Sequence, residues 1–134
     1  MRNMKILVVD DEHVVLTSCQ RVLEAEGFEV MLVPSVTDAL AALEGEKFSL
    51  LLIDVKMPEY DGMYLMEVVK EKWPQIPVII MSGYDTAETV QGAAQKGAST
   101  FIAKPFTPDE LIDTVRQVIK KEESNGEKKS LSDR

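Results

Sequence analysis

Residues 50–54 read Leu-Leu-Leu-Ile-Asp, four consecutive apolar side chains followed by a carboxylate. Three more runs, at 6–10, 78–82 and 100–104, have the same form: a mainly apolar strand that ends on a polar residue. Strands that are apolar along their length are typical of parallel sheets covered on both faces. Such sheets bind ligands at the carboxyl ends of their strands. The side chains predicted to meet at that edge are Asp10, Asp11, Asp54, Ser82 and Lys104.

The segments between these strands have the apolar spacing of helices. Phe28–Val33 is a further predicted strand, and Ser35 is predicted to cap the helix that follows it. The last helix has the clearest start, because Thr107-Pro108-Asp109-Glu110 combines a capping residue, a first-turn proline and a reciprocal glutamate. This alternation predicts an α/β fold, a (βα)5 doubly wound sheet of five parallel strands with helices on both faces.

The length of the chain fits one domain with a hydrophobic core of its own, since 45% of the 134 residues are hydrophobic. We predict that the domain occupies residues 1–121. The remaining segment, 122–134, is polar, and we predict a flexible tail or the start of a linker there.

Charge and composition argue against several classes of protein. The net charge of -8 disfavours direct binding to nucleic acid, which depends on neutralising phosphates. No apolar run has the length of a membrane span, and the N-terminus lacks the pattern of a signal peptide, so a cytoplasmic location is expected. Cys19 is the only cysteine, which excludes an internal disulfide and predicts a buried apolar role.

The predicted cluster of carboxylates needs a compensating charge. Two unit charges about 4 Å apart repel by roughly 1 kcal/mol in water and by roughly 4 kcal/mol at an effective dielectric constant near 20. Either one acid is protonated or a cation lies among them; hard oxygen ligands favour Mg²⁺, which commonly bridges to a phosphate. Lys104 and Ser82 add donors for phosphate oxygens, and Asp54 is placed to act as a carboxylate nucleophile. The predicted chemistry is magnesium-assisted phosphoryl transfer onto an aspartate.

Four motifs in this order resemble a known family. They are ILVVDDE at 6–12, LLLIDVKMPEYDG at 50–62, VIIMSGY at 78–84 and FIAKPF at 101–106. Together they resemble the receiver (CheY-like) domain of bacterial two-component response regulators, from about Met4 to about Lys121. The resemblance implies the flavodoxin-like strand order 2-1-3-4-5. It also implies that Asp54 accepts a phosphoryl group from a phosphohistidine on a sensor histidine kinase or phosphotransfer protein.

The resemblance further implies a ligand set for the metal ion. Asp11 would bind Mg²⁺ directly and Asp10 mainly through water, while Asp54 and the backbone carbonyl of Lys56 would complete the protein ligands. Mn²⁺ is the expected substitute for Mg²⁺.

A phosphorylation switch is also implied. Ser82 would donate a hydrogen bond to the phosphoryl group, Lys104 would pair with it, and the Lys104–Pro105 bond would be cis. Ser82 and Phe101 would then move together and reshape the face made by the fourth helix, the fifth strand and the fifth helix. Tyrosine is common where this chain has Phe101, and a permanently buried core aromatic is the alternative for Phe101. For Ser82, the alternative is an ordinary turn serine.

Two loop residues are candidates for tuning the phosphoryl lifetime. Lys56 and Tyr84 lie two residues after Asp54 and Ser82, respectively. We predict that they shield the phosphoryl group or steer the attacking water. The alternative is that both are solvent-facing loop residues.

Three rival functions share the predicted architecture. A haloacid dehalogenase-type phosphatase would need a second aspartate two residues after the nucleophile, where this chain has Lys56. A flavodoxin-like cofactor carrier would need small hydroxyl and glycine residues after the first strand, where the sequence is Asp10-Asp11-Glu12-His13. A receiver that serves only as a scaffold would not need the intact acidic set. We therefore predict a phosphoacceptor signalling domain and not an enzyme.

The partners expected from the resemblance are a kinase or phosphotransfer protein and a downstream target protein or output domain. The domain is expected to be a monomer or a phosphorylation-dependent homodimer without membrane contact. The sequence leaves open whether the domain acts alone, within a phosphorelay or as part of a longer regulator.

Overall fold

The computed structural model describes residues 4–55, 62–83, 91–92 and 94–132, with 123–132 described by their backbone. The strands are β1 Lys5–Val9, β2 Glu29–Val33, β3 Leu50–Asp54, β4 Val78–Ser82 and β5 Thr100–Ala103. The helices are α1 His13–Ala25, α2 Val36–Gly45, α3 Gly62–Lys72 and a C-terminal helix Pro108–Ser132. Within the described residues, no helix has both the length and the apolar content needed to cross a membrane.

The five strands form one parallel sheet in the order β2-β1-β3-β4-β5, which confirms the predicted topology. The central strand β3 pairs with β1 on one side and with β4 on the other. All five residues of β3 and all five of β4 are buried, which explains why each strand is apolar at every position before its last residue.

Alternate residues of each strand supply two separate cores, one on each face of the sheet. Leu51 and Ile53 of β3 belong to the core that packs under α2 and α3. Leu50 and Leu52 belong to the core under α1 and the C-terminal helix. The sheet is therefore covered on both faces, as the doubly wound prediction requires.

Local sequence patterns account for the starts of two helices. The Ser35 hydroxyl accepts a hydrogen bond from the Asp38 N–H at 3.1 Å and caps α2 as predicted. At the C-terminal helix, the Thr107 N–H donates to Glu110 Oε1 at 2.9 Å and the Glu110 N–H donates to Thr107 Oγ1 at 3.1 Å. This reciprocal pair confirms the predicted capping box.

The C-terminal segment differs from the predicted structure, and the predicted fourth helix is only partly described. The C-terminal helix continues to Ser132, although a flexible tail is predicted from residue 122. The segment contains no proline and is rich in glutamate and lysine, which are good helix formers. The predicted fourth helix, capped by Asp85 and ended by Gly97, lies partly outside the described residues, and its described residues 91–92 and 94–95 are helical. The division at residue 121 remains a prediction.

Candidate functional site

Four strands place polar side chains at the carboxyl edge of the sheet. Asp54 ends β3 and Ser82 ends β4, whereas Asp10 directly follows β1 and Lys104 directly follows β5. Asp10 is 0% exposed, Asp54 4% and Ser82 1%. These three are the buried polar or charged residues found in the described part of the chain, so its buried polarity is concentrated at one edge.

Strand alternation explains why two acids and the lysine converge. Side chains two positions apart in a strand point to the same face of the sheet. The residues two positions before Asp10, Asp54 and Lys104 all belong to the core under α1 and the C-terminal helix; they are Val8, Leu52 and Ile102. The three polar side chains therefore continue one face of three strands beyond the end of its apolar core.

Lys104 is at the centre of this cluster. Its Nζ lies 2.7 Å from Asp10 Oδ2, 3.2 Å from Glu12 Oε1 and 3.4 Å from Asp54 Oδ1. The lysine side chain is only 15% exposed. A single ammonium group thus pairs with three carboxylates that come from two different strand ends.

Asp10 also organises the start of α1. Its Oδ1 accepts a hydrogen bond from the Glu12 N–H at 2.9 Å, while its Oδ2 accepts from Lys104. Glu12 is the N-cap residue of α1 but caps it with no side-chain hydrogen bond. Both oxygens of one buried carboxylate are therefore used to hold the strand-to-helix connection and the lysine.

Burial shifts the pKa values at this edge. Burial raises the pKa of Asp10 above 3.8, even though the hydrogen bonds from Lys104 and Glu12 oppose the shift. Burial alone would lower the pKa of Lys104, but the hydrogen bond to Asp10 and the charges of Asp10 and Asp54 raise it above 10.5. Lys104 therefore carries its positive charge at neutral pH. Burial also raises the pKa of Cys19 to about 12, which keeps this thiol protonated.

The acidic residues also form a candidate metal site. Asp10, Glu12 and Asp54 each offer a carboxylate oxygen, and these atoms all lie within 4.8 Å of one another. Ligands on opposite sides of Mg²⁺ are about 4.2 Å apart, because each bond is about 2.1 Å long. The donor set and its spacing therefore fit a hard divalent cation.

Glu12 is the site residue that the sequence reasoning missed. Asp11, predicted as the direct metal ligand, is exposed and is not a member of this three-carboxylate group. The third acid of the run Asp10-Asp11-Glu12 is the available signal, but the sequence analysis assigns it no role of its own.

The other predicted residues are placed as follows. Phe101 is half-buried and packs against the core under α2 and α3. It pairs in register with Ile80, two residues before Ser82, so the predicted switch residues lie on neighbouring strands. The Lys104–Pro105 bond is cis, as expected. Lys56 and Tyr84 lie outside the described residues.

Gly62 packs directly behind Asp54. The Gly62 N–H donates to the Val55 carbonyl at 2.8 Å. A Cβ atom at residue 62 would lie 2.0 Å from the Asp54 carbonyl oxygen and 2.8 Å from Ile53 Cγ2. The glycine that ends the motif at 50–62 is therefore required by a close backbone approach.

Comparison with known proteins shows the family of this chain. The model of the response regulator receiver domain family matches residues 6–116. The chain is 38% identical over 123 residues to the hydrogenase transcriptional regulatory protein HoxA of Cupriavidus necator, covering 91% of this chain and 25% of that protein. It is 33% identical over 119 residues to the DNA-binding transcriptional regulator NtrC of Proteus hauseri, covering 89% of this chain and 25% of that protein.

A solved structure extends the likeness to the fold. A CheY-like response regulator receiver domain protein from Methanospirillum hungatei matches with a TM-score of 0.88 and 31% identity, covering 92% of this chain and 99% of that one. The chain spans about a quarter of the length of the curated relatives named above. One of them is named as DNA-binding, so the comparisons do not support the expected absence of nucleic-acid binding. The chain belongs to the response regulator receiver domain family.

Proposed function

We propose that Asp54 accepts a phosphoryl group from a phosphohistidine on a sensor histidine kinase or phosphotransfer protein. The observation that carries the proposal is the position of the buried Asp54 carboxylate, 3.4 Å from the Lys104 ammonium and within a group of three acids. An Asp54 carboxylate oxygen forms the new bond to phosphorus, the phosphorus–nitrogen bond breaks, and its electron pair leaves with the imidazole. The product is an acyl phosphate on Asp54.

The acidic residues would hold Mg²⁺ or Mn²⁺, and the ligand set expected from the family is Asp10, Asp11, Asp54 and the Lys56 carbonyl. Asp10 and Asp54 belong to the three-carboxylate group, whereas Asp11 is exposed and lies outside that group. When bound, the ion neutralises charge on the phosphoryl oxygens. Asp54 is kept in position for the reaction because it ends a strand whose five residues are all buried. That burial also limits the access of bulk water to the carboxylate.

Lys104 and Ser82 would hold the phosphorylated product. The Lys104 ammonium is already near Asp54 Oδ1, so a short shift suffices to pair it with a phosphoryl oxygen. The Lys104 N–H donates to the Ser82 carbonyl at 2.8 Å, which ties the two strand ends together. The Ser82 hydroxyl would donate to a second phosphoryl oxygen.

The proposed output is a change in the face made by the fourth helix, β5 and the C-terminal helix. Ser82 and Phe101 lie on the neighbouring strands β4 and β5, which supports a coupled movement of the two. A phosphoryl group that draws Ser82 inward would favour the inward position of Phe101.

The phosphoryl lifetime would depend on Lys56 and Tyr84. We expect Lys56→Ala and Tyr84→Ala to change the rate at which the acyl phosphate is lost, measured from the decay of the phosphorylated mass. Unchanged lifetimes in both variants would contradict this role.

The partners and location belong to the same proposal. The longer relatives suggest that this domain controls an output domain or a target protein, with DNA contacts made outside this chain, whose net charge is -8. The domain would act in the cytoplasm as a phosphoacceptor without turning over substrate. It would be a monomer or a homodimer that forms on phosphorylation.

Intact-mass measurement tests the central proposal. The protein is incubated with Mg²⁺ and acetyl phosphate, and we expect one added phosphate that is absent in Asp54→Asn. Asp113→Asn removes an exposed acid from the C-terminal helix and is the matched control, with an unchanged adduct. Multiple-turnover phosphate release without an adduct would instead indicate an enzyme.

A further inference from the structure

Glu12 contacts Lys104 in a way that differs from the other two acids. Its Oε1 lies 3.2 Å from the Lys104 Nζ, and its side chain is 62% exposed. The side chains of Asp10 and Asp54 are 0% and 6% exposed. Of the three carboxylates that contact the lysine, Glu12 is thus the one with room to move away.

The backbone of Glu12 is held while its side chain is exposed. Its N–H donates to Asp10 Oδ1 at 2.9 Å, and its carbonyl accepts from the Leu16 N–H at 3.1 Å. The carboxylate therefore starts from a fixed point beside the lysine. Exposed ion pairs are weak, so this contact is the easiest of the three to exchange for another anion.

We propose that Glu12 is a positioning residue that holds Lys104 before phosphorylation and releases it to the phosphoryl group on Asp54. This inference rests on the proposed function. Glu12 competes with the phosphoryl oxygens for one ammonium group, and it thereby slows formation of the acyl phosphate. Its role is exerted through Lys104 and not through contact with the reacting atoms.

The test measures the initial rate of adduct formation at saturating Mg²⁺ in Glu12→Gln. The amide keeps the size of the side chain and removes its charge. The exchange of an exposed pair corresponds to a rate increase of about two- to fivefold. Glu29→Gln, which removes an exposed acid at the first residue of β2, is the matched control and is expected to keep the parent rate.

Two further measurements distinguish this role from others. If Glu12 were chiefly a metal ligand, Glu12→Gln would need more Mg²⁺ for half-maximal rate, and that result would overturn the proposal. If Glu12 acted by repelling the donor, the increase would be smaller with phosphoramidate, a donor of lower negative charge, than with acetyl phosphate. We expect the same increase with both donors and the same Mg²⁺ requirement.

A double-mutant cycle on folding tests the contact even if a variant cannot be phosphorylated. The free energies of unfolding are compared for the parent, Glu12→Gln, Lys104→Met and the double variant. We expect the double variant to lose less stability than the sum of the losses in the two single variants, because the Glu12–Lys104 contact is lost only once. Additive losses would overturn the proposal. If the Asp54 adduct still forms while Glu12→Gln leaves its rate unchanged, the inference fails and the proposed function stands.

Discussion

The two edges of the sheet use the same ionic groups in opposite ways. At the amino edge, Lys5 begins β1, while Lys72 ends α3 and Lys96 lies in the turn before β5. Each of these lysines pairs with one exposed glutamate, and the lysine side chains are 29%, 51% and 38% exposed. At the carboxyl edge, Lys104 is 15% exposed and contacts three carboxylates, two of them buried. Lysine and carboxylate groups form the pairs in both places, so the difference lies in burial and in how many charges meet.

The difference shows where this fold accepts unfavourable electrostatics. Exposed ion pairs contribute about 0–1 kcal/mol each to the free energy of unfolding. Buried charges lose hydration, and a close partner restores only part of it. The buried charges at the carboxyl edge therefore reduce the stability of the fold, whereas the exposed pairs at the amino edge do not.

The largest expected effect comes from removing the central cation. Lys104→Met leaves Asp10 and Asp54 buried without their ammonium partner, and we expect the free energy of unfolding at pH 7.5 to fall by about 3 kcal/mol. Urea unfolding followed by circular dichroism measures this. Lys96→Met, at the amino edge, is the control and is expected to change stability by at most about 1 kcal/mol. Equal losses in the two variants would remove the distinction between the edges.

A smaller loss is expected where the backbone packs behind the site. Gly62→Ala places a Cβ 2.0 Å from the Asp54 carbonyl oxygen, so the backbone must shift. Overpacking of this kind costs about 2 kcal/mol in the free energy of unfolding. Gly45→Ala, which adds a Cβ with no atom within 4 Å near the end of α2, is expected to be neutral or slightly stabilising. Similar behaviour of the two variants would show that the close approach at Gly62 relaxes without loss.

The smallest expected effect is the contribution of Asp10 to the free energy of unfolding, for which the sign is the point at issue. Because the pKa of Asp10 in the folded protein is raised above 3.8, folding favours its protonated form. The parent therefore loses stability as the pH rises from 3.8 through the folded pKa. Asp10→Asn avoids this loss, while Lys104 keeps its contacts with Asp54 and Glu12. We expect Asp10→Asn to be about 1 kcal/mol more stable at pH 7.5.

The pH dependence provides the check on Asp10. The gain in unfolding free energy from Asp10→Asn is expected to shrink as the pH falls, because the parent carboxyl becomes protonated and neutral. Urea titrations at several pH values between 7.5 and 4 measure it. Glu46→Gln, at the exposed amino edge, is the control and is expected to show no gain of this size. A loss of stability in Asp10→Asn at pH 7.5 would mean that the Lys104 pair outweighs burial.

Much of this protein could be predicted from local patterns in its sequence. The apolar runs within β3 and β4, the Ser35 cap and the reciprocal Thr107–Glu110 pair all depend on neighbouring residues. Each of these features depends on interactions among a few consecutive residues, so residue type and spacing were sufficient to predict it. The rule for parallel sheets then brought the polar ends of the strands to one edge, whereas the strand order followed from the resemblance to the receiver family.

Only the tertiary structure decided how the charges at that edge are shared. Lys104 and Glu12 are 92 residues apart in the chain, and their contact depends on the placement of β5 beside β4 and on the backbone at the start of α1. The same holds for the close approach of Gly62 to Asp54. The sequence determined which groups reach the edge, because strand period and burial are local properties. Which acid contacts the lysine, and how exposed each one is, depended on distances that no local pattern encodes.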